Sequence, residues 1–150
     1  MRRPFIKIKE GKMTYGQRID LGVILGSKTT SESQKFSDVF KCLYGEEIKI
    51  KEFNDFMLQY EEVLSGLTFW IEQEKTMLKY EPSLLEVRAG LSALIEKIGD
   101  FGTVKSLAKA YGKDPDEILN WEYAKVFGIL YTDLEESKYQ KKYQEISQKK

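Results

Sequence analysis

The chain has 150 residues, of which 41% are apolar and 13% aromatic, enough core-forming material for one domain and too much for a disordered chain. Lys plus Arg and Asp plus Glu both number 24, so no overall field holds the protein on nucleic acid or on an anionic membrane. A single cysteine, Cys42, and no histidine exclude an internal disulfide, a structural zinc site and the usual partners of a Ser or Cys nucleophile.

From the N-terminus, Phe5 to Lys9 alternates apolar and basic residues, and Glu47-Ile48-Lys49-Ile50-Lys51 does the same. Residues 5–9 and 47–51 could pair as a small two-stranded β element near the N-terminus, or both could be extended connectors on a helical body. Between them Thr14, with Gln17 three residues on, caps a helix running through Leu25. Gly26 to Thr30 is a loop. Ser31 opens a second helix whose buried face is Phe36, Val39, Phe40 and Leu43, ending at Tyr44-Gly45. Cys42 lies beside that stripe as a small core filler, with no basic cluster to activate a thiolate. A long periodic segment follows from Glu52 to about Tyr80, with Ser65-Gly66 as a place where it kinks or splits.

Pro82 in the first turn restarts the chain as an amphipathic helix with Leu84, Leu85, Val87, Leu91, Leu94, Ile95 and Ile98 on one side, up to Gly99. Another helix spans Thr103 to Tyr111 with Gly112 as its cap. In Asp114-Pro115-Asp116-Glu117 an N-cap aspartate, a proline at the first helical position and a following glutamate all mark a helix start. Asn120-Trp121 breaks the chain before a last helix with Tyr123, Val126, Phe127, Leu130, Tyr131 and Leu134 on its apolar side. Residues 135–150 are its charged end, where fraying is expected. The whole reads as a mainly α, compact multi-helix single domain, with its best internal boundary near residues 44–51.

The chemistry of catalysis has little foothold. Neither glycine-rich phosphate-binding pattern occurs, and the tightest carboxylate cluster, Asp114, Asp116 and Glu117, is explained by helix capping without a metal. We expect no catalytic, cofactor-binding or metal-binding residue, and hence a protein that is not an enzyme. The basic start lacks the apolar run of a secretion signal, being interrupted by Lys7, Lys9, Glu10 and Lys12. No stretch reaches the about eighteen uninterrupted apolar residues of a membrane span. A cytoplasmic location is the expectation.

Two readings compete for the last third. Thr103 to Leu119 has the outline of a helix-turn-helix, but the second helix begins with Asp114, Asp116 and Glu117, where DNA recognition needs donors. The same stretch contains Leu107-Ala108, Tyr111-Gly112, Pro115 and Glu117-Ile118, and is followed by Trp121 and the apolar Tyr123 to Leu130 helix. Over residues 100–140 this resembles the tail assembly chaperones of long-tailed bacteriophages and prophages. The resemblance implies a helical, non-enzymatic protein that binds a tape measure protein or another tail protein. A virion or neck component of the same phage module is the alternative, and helix-turn-helix DNA binding a further one.

Independently of the resemblance, the chain has more large rings than a short helical core readily hides. The candidate partner-binding residues are Trp121, Tyr123, Phe127, Tyr131, Tyr139 and Tyr143, with core packing as the other reading for Trp121 and Phe127, as for Trp70. Tyr139 and Tyr143, four apart on the charged tail, are placed for contact with a protein partner or a second copy.

Overall fold

A computed structural model describes residues 4–149. Among them are eight α-helices and one 3-10 turn, in the order α1 (Tyr15–Gly26), α2 (Glu32–Tyr44), the 3-10 turn (Ile50–Glu52), α3 (Phe53–Met77), α4 (Leu84–Arg88), α5 (Leu91–Ile98), α6 (Asp100–Tyr111), α7 (Pro115–Leu119) and α8 (Tyr123–Gln148). The mainly α expectation holds. Its β element does not, because no strand forms among the described residues and the one bridge joins Thr14 to Glu122.

The reason lies in how residues 4–13 are used. Ile8 is buried against α3, where a Cβ on Gly66 would come within 2.9 Å of the Ile8 side chain and the Lys9 backbone nitrogen. Glycine at this helical position therefore marks a close approach of backbone, and α3 runs through it without a break. The Ile8 carbonyl accepts the Trp70 indole N–H at 2.7 Å and the Gly11 N–H at 2.9 Å, satisfying it without a neighbouring strand. Gly11, at φ +71°, turns the chain toward α8, where Gly11 and Met13 carbonyls accept the Ala124 and Tyr123 N–H groups. The other proposed strand ends in the 3-10 turn, with Ile48 against the core and Ile50 89% exposed.

Most helix boundaries follow the caps. Thr14 and Gln17 form the reciprocal capping box of α1. Ser31 caps α2, and Gly45 at φ +75° ends it. Gly112 closes α6, and Asp114 accepts the Asp116 N–H at the start of α7. Three expectations are corrected. Pro82 precedes the helix, whose N-cap is Ser83 in a capping box with Glu86. The helix expected up to Gly99 is split at Ala89-Gly90, where Gly90 takes φ +85° and separates α4 from α5. The charged tail remains helical to Gln148, aided by a Glu135–Lys138 pair one turn apart at 3.4 Å.

The core is shared by α1, α2, α3, α6, α7 and the first half of α8, with Met13, Leu21, Val39, Val63, Ile118 and Val126 fully buried. The stretch between α2 and α3 joins two helices packed on each other through Phe36, Phe40, Phe56 and Tyr60, whose ring centroids lie 4.9 to 6.1 Å apart. α4 and α5 contribute no buried residue.

Candidate functional site

Two groups of side chains with chemical potential are structural. Glu74 on α3 accepts from Arg18 Nε at 3.0 Å and from the Tyr123 hydroxyl at 2.6 Å, and pairs with Arg18 Nη2 as well. Burial opposes the charge on Arg18, but the bonds and field of Glu74 outweigh it and raise the guanidinium pKa. Burial, reinforced by the Glu74 carboxylate, pushes the Tyr123 hydroxyl well above its ordinary value. All three groups are satisfied by one another, so the cluster clamps α1, α3 and α8 together. The second group is Cys42, half-buried with its Sγ 3.8 Å from the Gln17 carbonyl. Burial and then the charge of Asp20 push this thiol up to about 11, so it is not a nucleophile near neutral pH. Among the described residues no three His, Cys, Asp or Glu side chains gather as a metal site would require.

The aromatic candidates divide. Tyr123 and Phe127 are buried, with the Trp70 ring 5.0 and 5.1 Å from theirs. These two rings are core and are not available to a partner, because the first half of α8 runs across α3 with this face inward. Trp121 is half-buried, edge-on to Tyr111 at 5.4 Å and covered by Lys125 Nζ at 4.1 Å from its ring. Tyr131 is half-buried against the core. Tyr139 and Tyr143 are 64% and 59% exposed, one turn apart with centroids 6.4 Å from each other.

A larger surface is the α4–α5 segment. Leu84, Leu85, Val87, Leu94, Ile95 and Ile98 lie between 44% and 77% exposed, and Phe101 at the start of α6 adds a ring that is 60% exposed. The sequence marks most of these residues as one face of an amphipathic helix, and periodicity normally means a face turned to the protein's own core. Here it is turned outward and left largely open among the described residues. Of the titratable side chains in residues 81–100, Glu81, Glu86, Glu96 and Asp100 outnumber Arg88 and Lys97. Glu86 is held below the usual carboxylate range, chiefly by the Tyr80 hydroxyl at 2.7 Å and then by the Ser83 N–H.

A cleft of about 720 Å³ also opens between the N-terminal segment and α2–α3, walled by Phe5, Phe40, Tyr44, Phe56 and Leu58. At its base Gln59 is buried. Its Oε1 accepts the Tyr44 hydroxyl, and its Nε2 has no hydrogen-bond partner among the described residues.

The helix-turn-helix outline is present in α6, Gly112 and α7, but α7 is only five residues long and anchors itself through the fully buried Ile118. Its exposed start offers Asp116 and Glu117, while Lys113 pairs with Glu117 at 4.0 Å. Carboxylates stand where a phosphate or base edge would need donors. No helix among the described residues is long and apolar enough to cross a membrane. No family model, curated protein or solved structure matches the chain.

Proposed function

We propose that the chain is a non-enzymatic tail assembly chaperone of the phage or prophage type, working in the host cytoplasm, and that α4–α5 is the surface on which it holds its client. The observation that carries this reading is the outward apolar face Leu84 to Phe101. Apolar side chains left exposed in such number are unfavourable in water unless something covers them. The client it fits is an apolar helical segment of a tail protein such as the tape measure protein, laid along this face by its own apolar side. The acidic excess around the face favours a segment flanked by lysine or arginine, since charge complementarity speeds encounter and fixes register. A virion or neck component would use the same surface within a finished particle.

The test is co-expression with the tape measure protein of the same phage or prophage, followed by affinity capture. The wild-type chain should bring that protein down in soluble form, and a Leu94→Asp, Ile95→Asp variant with unchanged helical content should not. Equal capture by both chains would remove α4–α5 from the account, and no capture by either would remove the chaperone reading.

A further inference from the structure

The second half of α8 carries a separate apolar stripe that the chaperone reading does not use. Every residue from Glu135 to Lys149 is exposed, yet Tyr139, Tyr143 and Ile146 recur at four-and-three spacing, 59% to 64% exposed. At about 100° per residue, this stripe lies close to half a turn round the helix from Tyr123, Val126 and Phe127, which face the core. The body of the chain therefore lies on the far side of α8 and does not cover the stripe. Lys141, between the rings in sequence, reaches back instead to Tyr80, its Nζ 4.9 Å from that ring.

We propose that a second copy of this chain covers the stripe, with the two α8 tails packed antiparallel. Tyr139, Tyr143 and Ile146 occupy successive positions of a heptad seam, and the next seam position toward the core is Glu136. Parallel tails would lay Glu136 on Glu136 of the other copy, a like-charge contact on the seam. Antiparallel tails bring each Tyr139 against the other copy's Tyr143 and the stem of each Glu136 against the other copy's Ile146, and set each Glu135, on the flank of the seam, near the other copy's Lys149. The arrangement is self-complementary about a two-fold axis level with Lys141, midway between the two rings, as closed dimers require. The paired segment, Glu135 to Lys149, is about 22 Å long. It falls below the size of stable interfaces, so the dimer dissociates on dilution.

Sedimentation velocity from micromolar to millimolar protein tests the association, and cysteine cross-linking in a Cys42→Ser background tests its direction. The wild-type chain should move from monomer to dimer with concentration. Tyr139→Ser, Tyr143→Ser should raise the dissociation constant at least tenfold with helical content unchanged. Glu135→Lys, Glu136→Lys should weaken the dimer, and adding Lys149→Glu should restore it. Lys142→Cys should form a disulfide dimer, whereas Gln148→Cys should not, since antiparallel packing holds its two copies about 21 Å apart. A strictly monomeric chain at the highest concentration, a dimer insensitive to both tyrosines, or faster cross-linking through Gln148→Cys would each overturn the proposal.

Discussion

Leu94 and Ile95 on α5 are 51% and 56% exposed, whereas Leu21 on α1 is completely buried, and this difference has a measurable consequence. A core leucine truncated to alanine costs about 2 to 5 kcal/mol, because the lost transfer free energy and the cavity left behind add. At Leu94 no cavity forms, and folding has withdrawn only about half of the side chain from water. Full burial is worth about 1.5 to 3 kcal/mol, so each truncation on α5 should cost about half of that, about 0.7 to 1.5 kcal/mol. Urea unfolding followed by far-ultraviolet circular dichroism at low micromolar protein would compare Leu94→Ala, Ile95→Ala and Leu21→Ala. The first two should move the midpoint modestly and the third should move it strongly. If Leu94→Ala cost as much as Leu21→Ala, the α4–α5 face would be buried within the protomer, and there would be no uncovered surface for a client.

The turn at Gly11 should be far less tolerant than the one at Gly45. Both have positive φ, but a Cβ at Gly11 would come within 2.7 to 2.9 Å of Ala124 and Trp70, whereas Gly45 has nothing within 4 Å. Gly45→Ala should cost only the backbone term of about 1 to 2 kcal/mol, and Gly11→Ala about 1 to 3 kcal/mol more, which thermal unfolding would resolve. Glu74→Ala should leave Arg18 and Tyr123 unsatisfied at the α1, α3 and α8 junction and cost about 2 to 4 kcal/mol in the same assay. Stability should also fall at alkaline pH. Burial, and then the charge of Asp100, hold Tyr15 at about 12 against an ordinary value of 10, and Cys42 stands at about 11 against 9. Above pH 9 the unfolded chain releases protons that the folded protein keeps, so stability is fully present below pH 9 and declines up to pH 12. Tyr15 alone accounts for about 2 to 3 kcal/mol of this, and urea titrations showing stability that rises over that range would contradict it.

What the sequence made legible was mostly local chemistry. Thr14 with Gln17, Ser31, Gly45, Gly112 and Asp114 each mark a helix end because a cap is decided within a few residues. What it hid was the packing direction of each apolar face. The alternation in Phe5 to Lys9 is equally suited to a ribbon or to an extended segment seated on a helix, and only Gly66, distant in sequence, makes room for the second. The helical spacing of Leu84 to Ile98 is the same whether its apolar side meets a core or solvent, and the αL conformation of Gly90, which splits it, was not marked in advance. Tyr123 and Phe127 stand among the candidate partner-binding residues, because counting aromatics cannot show that Trp70, more than fifty residues earlier, packs edge-on against both. The Arg18–Glu74–Tyr123 clamp left no signal in the sequence, since its members lie on three different helices and satisfy no local motif.

Amide hydrogen exchange on the chain alone and in complex with the captured tape measure protein tests the central claim most directly. The account predicts slowed exchange concentrated in α4, α5 and the start of α6, with Leu84 to Phe101 at its centre. Protection confined to another face, with α4–α5 exchanging as fast in the complex as in the free chain, would contradict it.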